Sequence, residues 1–343
     1  MTFSKRQKRR ARGRAKEQSA LRLRYPHHLF FRGPNRLSAG NPRELRSALE
    51  FLKHFADSTA DCVDAVLLDL HDTKYIDLTA CVMLAAAIQR CQLGRKLQID
   101  VRMPRNGSAR FALKVFGVAD DARAGDDVPD EIVEQVMKVT SGMKGDPSPG
   151  ERTFEVARLA ERLDAGETLA DRVHAALNEA ADNVLSWAYG MNAPPNASER
   201  WWVAGLLTTR SATFVALDHG AGIPTTAPQN LGDSLTGLIK AMMQDRGWRQ
   251  INLKPTDSQI LLATIHQRRS VSGLDERGKG LNNMIALIDR FSAGFINIFS
   301  GDAVYGYRTP AANEGDKEHC SSLGFNFPGT LIVWRLQAQA FEA

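Results

Sequence analysis

Apolar residues in the first third of the chain follow two patterns, a continuous run and a helical spacing. Residues 65–70 are apolar except at one position, which is typical of a buried strand. After Asn41 and Pro42, apolar residues recur at positions 45, 49, 52 and 55, which predicts a helix that begins at Pro42 and is capped by Asn41. Further strands are predicted at 29–31 and 97–101, and further helices at 77–94 and 109–117. This alternation predicts a small α/β domain at 25–119.

The composition changes at residues 120–150, which are rich in Asp, Gly and Pro around one short apolar piece at 132–137. Such a composition is typical of a connection between domains. We therefore predict that 120–150 is a mobile linker that carries one helix and contains the domain boundary.

Residues 151–343 show both periodicities again and predict a second domain of helices and strands. Helices are predicted at 154–163, 169–189 and 235–244, and strands at 201–207, 212–217, 294–300, 304–307 and 331–336. A turn at Gly301 and Asp302 is expected to join the strands on either side of it. The overall prediction is an α/β protein of two domains preceded by a short tail at 1–24.

Composition places the chain among soluble globular proteins, with 343 residues of which 43% are hydrophobic and 24% charged. No apolar run approaches the roughly 18 residues that cross a membrane, and no secretory segment opens the chain. The four cysteines and eight histidines show no spacing typical of a transition-metal site. We therefore expect a cytoplasmic protein with buried, reduced thiols and no contact with a membrane.

The net charge of +5 is concentrated in the tail. Ten basic residues and one acidic residue lie within 1–24, so this segment carries +9 and the remainder of the chain −4. One interpretation is that the tail binds nucleic acid or another polyanion. The other is a disordered, solubilising extension or a start assigned too early, and a transit peptide is a weaker third interpretation.

Candidate chemistry begins within the helix predicted at 169–189. Glu179 and Asn183 are four residues apart, so on a helix their side chains share one face and can converge on one ligand. A carboxylate can polarise a water molecule, and an amide oxygen is a suitable ligand for Mg²⁺. Taken alone, this spacing is most often an ordinary solvated helix surface, so its interpretation depends on motifs further along the chain.

Three glycine-containing motifs follow in order. The strand at 212–217 ends in Asp218, and Gly220 and Gly222 follow it where the backbone must turn tightly or approach a ligand. Residues 277–281, Arg-Gly-Lys-Gly-Leu, open an apolar-periodic stretch, and free N–H groups at such a helix start favour phosphate. The last motif is Gly-Thr at 329–330, directly before the final predicted strand.

Together these motifs resemble the GHKL family of ATP-binding domains, which includes gyrase, histidine kinases and anti-sigma serine kinases. The resemblance covers roughly 151–343 and implies a GHKL (Bergerat) α/β sandwich that binds ATP and Mg²⁺. It implies that Glu179 is the general base, that Asn183 is the Mg²⁺ ligand, and that Asp218 accepts a hydrogen bond from the adenine amino group.

The same resemblance assigns the remaining motifs to the nucleotide. It implies that the phosphates contact Gly278, Lys279, Gly280 and Leu281. Gly220 and Gly222 would lie alongside Asp218, and Thr330 would complete the site. The interval between Asp218 and Gly278 would hold a lid over ATP.

Residues 69–84 resemble a STAS domain, the fold of anti-anti-sigma factors. The matching residues are Asp69-Leu70 and then Ile76-Asp77-Leu78-Thr79. The family's phosphate-accepting hydroxyl falls on Thr79, which makes Thr79 a candidate phospho-acceptor. The alternative, which we favour, is that Asp77 and Thr79 cap the helix that begins there.

The leading hypothesis is a cytoplasmic ATP- and Mg²⁺-binding regulator, a slow ATPase or kinase-like switch that acts through protein partners. A second hypothesis is a dimerising ATPase clamp that acts on nucleic acid through its basic tail. A third is a nucleotide-binding scaffold without chemistry, although the presence of Glu179 argues against it.

Overall fold

A computed structural model describes most of the chain. The described residues are 16, 19–60, 65–95, 97–119, 133–143, 171, 173–178, 180, 188–189, 199–208, 211–245, 254–270, 285, 288–289, 293–309 and 317–337. They form a mixture of helices and sheets, which confirms the predicted α/β class. None of the helices in this part of the chain combines the length and the apolar composition needed to cross a membrane.

The first sheet is parallel and consists of β1 (His28–Arg32), β3 (Ala65–Asp69) and β5 (Gln98–Arg102). Its strand order is β1-β3-β5. A separate parallel pair joins β2 (Arg36–Leu37) and β4 (Tyr75–Ile76). The helices of this region are α1 (Pro42–Ala60), α2 (Leu78–Arg95) and α3 (Gly107–Val115). All the elements predicted for 25–119 are therefore present, and the bounds that were predicted lie within one or two residues of the observed ones. The helix predicted to begin at Pro42 extends to Ala60, five residues beyond its last predicted apolar position.

Two helix starts show why this part of the sequence was informative. The Glu44 amide donates to Asn41 Oδ1 at 3.0 Å, which confirms Asn41 as the cap of α1. The Ala80 amide donates to Asp77 Oδ1 at 2.8 Å, so Asp77 caps α2. Both bonds join residues three positions apart, so the capping residue and the helix start can be recognised together in the sequence.

The second sheet is antiparallel and consists of β6 (Val133–Met143), β7 (Arg200–Thr208), β8 (Ser211–Asp218), β9 (Ala293–Arg308) and β10 (Glu318–Gln337). Its strand order is β6-β7-β8-β10-β9. The helices α4 (Ile223–Asp245) and α5 (Asp257–Ser270) lie between β8 and β9 in the chain. The helix predicted at 235–244 is the second part of α4, which has a non-helical residue at Gly232, and α5 was not predicted.

The helix predicted within the linker is wrong, because 133–143 form the edge strand β6. The pairing of β6 with β7 has two register shifts, between Val133 and Gln135 and between Met137 and Thr140. Such bulges interrupt the two-residue alternation by which a strand is recognised. The second sheet therefore begins within the segment that was assigned to the linker at 120–150.

The segment β9 turns back on itself at Gly301. The Thr309 amide donates to the Gly294 carbonyl at 3.0 Å, although fifteen extended residues would separate these two groups by roughly 50 Å. Gly301 has a φ of +59°, which suits a tight turn. The two halves of β9 pair with different parts of β10, and the register shifts between Ser322 and Thr330. The turn predicted at Gly301 and Asp302 agrees with this path.

Each face of the second sheet is covered by a different layer. One face packs against α5, the described residues of 171–180 and positions 285 and 288. The other face contributes Trp202, Leu217 and Phe299 to a core shared with α1, α2 and α3. The Trp202 indole N–H donates to Gln89 Oε1 on α2 at 2.8 Å, which joins the two regions by a hydrogen bond as well as by apolar contact.

The thiols only partly match the expectation of buried cysteines. Cys81 is buried, and burial raises the pKa of its thiol well above the ordinary range. Cys91 and Cys320 are half-buried, and all three are free thiols. Cys62 lies outside the described residues.

Candidate functional site

A row of polar side chains crosses three adjacent strands at one end of the second sheet. Thr330 on β10 pairs with Asp218 on β8 and with Ser300 on β9. All three residues are buried, with Asp218 only 4% exposed. Because side chains alternate along a strand, Asp218 shares the face of Phe214 and Ala216, which pack in the core formed with the helices. The row therefore lies between the sheet and its helical layer.

Asp218 is held by hydrogen bonds to its own turn and to the neighbouring strand. The Gly220 amide donates to Asp218 Oδ1 at 2.7 Å, and the hydroxyl and amide of Thr330 also donate to the carboxylate. Burial raises the pKa of Asp218 to about 6, while these hydrogen bonds act in the opposite direction. The result is a fixed acceptor whose ionisation is sensitive to its surroundings.

The glycines predicted to accompany Asp218 are required by close packing. A Cβ at Gly220 would overlap the Ala188 side chain, and the next amide, of Ala221, donates to the Ala188 carbonyl at 2.8 Å. Gly222 has a φ of +80°, which strongly favours glycine at that position. A Cβ there would lie 2.9 Å from Ser300 Oγ. These glycines bring the turn against the end of the predicted helix at 169–189 and against the polar row.

Gly329 occupies an equally restricted position on β10. Its φ is +85°, and a Cβ there would overlap the Asp218 carbonyl. The Ser300 hydroxyl donates to the Gly329 carbonyl at 2.9 Å and accepts from the Ile223 amide at 2.8 Å. Ser300 therefore connects the first residue of α4 to the Gly-Thr motif, a role that the sequence did not indicate because it depends on strand pairing.

Tyr189 is a second residue that sequence reasoning missed. Its hydroxyl donates to the Arg200 carbonyl at 2.7 Å and accepts from the His219 amide at 3.2 Å. Burial raises the pKa of Tyr189, and the negative charge of Asp218 raises it further. Tyr189 thus connects the turn after Asp218 to the start of β7.

His219 follows Asp218 directly but faces the other side of the sheet. Its ring packs edge-on against Trp202 with the centroids 5.5 Å apart. The residue is only partly buried as a whole, yet both ring nitrogens are inaccessible and have no hydrogen-bond partner among the described residues. Burial, with a smaller contribution from the positive charge of Arg90 on α2, lowers the pKa of His219 to about 3. Asp218 therefore faces the helical layer, and His219 faces the core shared with α1, α2 and α3.

Several of the predicted site residues lie outside the described residues: Glu179, Asn183, Gly278, Lys279, Gly280 and Leu281. The described residues of 171–180 include Val173, Ala176, Leu177 and Ala180, which lie in the core on the Asp218 face. Within the described ranges, no three His, Cys, Asp or Glu side chains could hold a metal ion together. Asn183, the predicted Mg²⁺ ligand, lies outside these ranges.

The candidate phosphorylation site is described completely. Asp77 Oδ2 accepts from the Ser38 hydroxyl at 2.7 Å and from the Ala39 amide at 2.8 Å, in addition to its capping bond. Asp77 thereby joins the start of α2 to the segment that follows β2. Thr79 is only 7% exposed. A phosphoryl donor could reach its hydroxyl only after this part of α2 had moved.

The described geometry provides a buried acceptor at the end of a strand, a tight glycine turn beside it, and a helical layer above it. Such an arrangement can recognise the amino group of a ligand that inserts between the sheet and the helices. Comparisons of the chain with protein family models, with characterised proteins and with solved structures found no match.

Proposed function

We propose that this chain is an ATP- and Mg²⁺-binding regulatory protein, a slow ATPase or kinase-like switch with a GHKL-type nucleotide domain and a STAS-like first domain. The observation that supports this most directly is Asp218, a buried carboxylate fixed by Gly220 and Thr330. An ionised carboxylate has about four acceptor sites, and the Gly220 amide with the hydroxyl and amide of Thr330 use three of them. One further donor can therefore be accepted there. The exocyclic amino group of adenine is a donor of the required type.

The turn around Asp218 supports the proposal independently of its charge. Gly222 and Gly329 have φ values of +80° and +85°, and both lie against the polar row. Glycine at these positions loses more backbone entropy on folding than another residue would. Such a cost is expected where a ligand needs a surface of defined shape. In this proposal the base lies near Asp218 and Thr330, and the phosphates extend toward residues 278–281.

Chemistry at the other end of the nucleotide would depend on residues identified from the sequence. Glu179 would accept a proton from the water or hydroxyl that attacks the γ-phosphorus, while the bond from that phosphorus to the bridging oxygen breaks and ADP leaves. Asn183 would hold Mg²⁺, which supplies charge neutralisation at the phosphates when it is bound. With water as the nucleophile the products are ADP and inorganic phosphate.

Regulation through partners is supported by the position of the site between two layers. Asp218 and His219 are consecutive, and they contact the helical face and the face shared with α2, respectively. A change in the turn on nucleotide binding would therefore alter the contact of His219 with Trp202. This connection is the physical basis for proposing a switch rather than a housekeeping hydrolase.

Asp218→Asn is expected to weaken ATP binding by roughly 5- to 150-fold, because an adenine donor left unpaired costs about 1–3 kcal/mol. The same change is expected to stabilise the free protein at pH 7. The raised pKa means that the ionised carboxylate is a penalty above pH 6, which is relieved as the pH falls toward the ordinary value of 3.8. Calorimetric titration with Mg-ATP and urea unfolding would measure the two effects.

The matched control is Asp57→Asn, which changes an exposed carboxylate on α1. This control should change neither the affinity for ATP nor the free energy of unfolding. Loss of binding together with unchanged or increased stability would separate a recognition defect from misfolding. An Asp218→Asn protein that binds ATP with unchanged affinity would refute the assignment of this carboxylate to adenine.

The buried hydroxyl of Thr79 leads to a prediction about the reaction product. We expect incubation with Mg-ATP to release free phosphate without stable labelling of Thr79, because this residue is 7% exposed. Intact-protein and peptide mass spectrometry would measure any added phosphate. Stoichiometric phosphate on Thr79 that is absent from the Glu179→Ala protein would show instead that the protein is a self-phosphorylating kinase.

A further inference from the structure

At the far end of the second sheet, the face that packs against α1, α2 and α3 carries exposed side chains among the described residues. Phe295 on β9 pairs with Arg335 on β10. Arg335, Arg308 and His319 are exposed, and Phe295 is partly exposed beside them. Phe295 and Arg335 have the same parity along their strands as Phe299 and Val333, which pack in the core shared with α1, α2 and α3. The arginine–phenylalanine face, defined as Phe295, Arg308, His319 and Arg335, is therefore an exposed extension of that side of the sheet.

A cavity of about 350 Å³ lies on this face. Its lining includes all four residues of the arginine–phenylalanine face together with the amide side chains of Asn297 and Gln337. The lining thus combines two aromatic rings, those of Phe295 and Tyr307, with two guanidinium groups, an imidazole and two amides. Among the described residues, no carboxylate lines this cavity.

The positive charge of this face is not neutralised within the described part of the chain. Neither Arg308 nor Arg335 forms an ion pair there with a described carboxylate. Arginine side chains in this state keep their fork of donors available for an anion. The exposed face is therefore electrostatically complementary to a polyanion, in the same way as the +9 tail at 1–24.

A second aromatic residue lies near the face. Tyr75 is 43% exposed, and the Arg36 guanidinium carbon lies 4.1 Å from the centroid of its ring. Burial raises the pKa of Tyr75, Asp77 adds to this, and Arg36 and Arg335 act in the opposite direction, which places Arg335 within electrostatic range of Tyr75. Arg36 is partly neutralised by Glu44 at 2.9 Å. Tyr75 and Arg36 therefore form a second exposed pair of an aromatic ring and a cation.

We propose that the arginine–phenylalanine face binds single-stranded nucleic acid, with an unpaired base stacked on Phe295 and the flanking phosphates held by Arg308 and Arg335. Aromatic rings on a sheet between basic side chains suit bases whose faces are free, whereas a duplex offers only its phosphates. The amide side chains of Asn297 and Gln337 can both donate to and accept from a base edge. This face lies on the side of the sheet opposite Asp218, so the proposal does not depend on ATP binding.

Fluorescence anisotropy with the full-length chain and a labelled twelve-nucleotide oligo(dT) tests this proposal over a range of salt concentrations. The Arg308→Gln/Arg335→Gln double variant is expected to lower the slope of log K against log salt by about 1.4, since each phosphate contact in a single strand contributes about 0.7. Phe295→Leu is expected to weaken binding roughly 5- to 150-fold without changing the slope, because only stacking is lost. The control is Lys240→Gln, an exposed cation on α4, which should leave both quantities unchanged.

An abasic oligomer of the same length separates stacking from charge. The wild-type protein should prefer oligo(dT), and Phe295→Leu should remove the preference. Wild-type slopes in the double arginine variant would overturn the proposal and assign binding to the tail. Equal affinity for the abasic oligomer would also overturn it, as would binding of a multiply phosphorylated peptide through these arginines without binding of oligo(dT). Thermal unfolding of each variant would confirm that the exposed substitutions leave the fold intact.

Discussion

Replacing Glu179 with alanine is expected to lower ATP turnover by about 10²–10⁴ and to leave nucleotide binding in place, because a positioned general base contributes a factor of that size to the rate. Binding depends instead on Asp218 and Thr330, which hold the base end of the nucleotide in our proposal. Turnover would be followed by phosphate release, and binding by calorimetry. Asn183→Ala should show the other phenotype, a loss of the Mg²⁺ dependence of binding.

The matched control is Asp171→Ala, which removes an exposed carboxylate from the helix predicted at 169–189. It should leave turnover at the wild-type level. Normal turnover in Glu179→Ala would mean that this carboxylate is ordinary helix surface. Equal losses of binding in Glu179→Ala and Asp171→Ala would point to damage of the helix rather than to chemistry.

The second large effect is expected on stability in mild acid, and it arises from His219. Its pKa is lowered from the ordinary 6.5 to about 3, so the folded state keeps the imidazole neutral while the unfolded state protonates it. The contribution of this residue to the free energy of unfolding therefore falls as the pH drops from 6.5 toward 3. At pH 5 the loss is about 2 kcal/mol, from 1.36 kcal/mol for each pH unit below 6.5.

His219→Phe provides the comparison, because phenylalanine keeps an aromatic ring beside Trp202 and cannot be protonated. Urea unfolding of both proteins at pH 7 and pH 5 should show that the wild type loses about 2 kcal/mol more than the variant. Asp218 contributes to the pH dependence with the opposite sign, because its raised pKa means that acid increases the free energy of unfolding. Both proteins contain Asp218, so its contribution cancels in the difference between them. Identical pH dependence in the two proteins would contradict a buried, neutral His219.

The sequence was most informative where structure depends on near neighbours. Asn41 and Asp77 each cap a helix through a bond to a residue three positions away, and both helices were predicted from that pattern. The edge strand β6 was missed because its bulges disturb the alternation that marks a strand. The length of β10 was also missed, because residues 318–327 lack a strong local strand pattern and form a strand only by pairing with 301–307 of β9.

The same distinction applies to the candidate site. Asp218 and its glycines could be found because the strand and the turn are contiguous in the chain. Tyr189 and Ser300 could not, since their roles depend on contacts with residues that lie 30 and 77 positions away. The sequence did not indicate that His219 is buried, because its burial depends on the layer that packs on the other face of the sheet.

The sheet that carries Asp218 is apolar on both faces, and this has a consequence for cooperativity. Trp202, Leu217 and Phe299 are buried by the first region of the chain rather than by the helices of their own region. Neither half can therefore be cut out as an independent module without exposing a wide hydrophobic surface, which favours aggregation. The two halves should unfold together in one transition, so that a ligand bound to either would protect both from proteolysis.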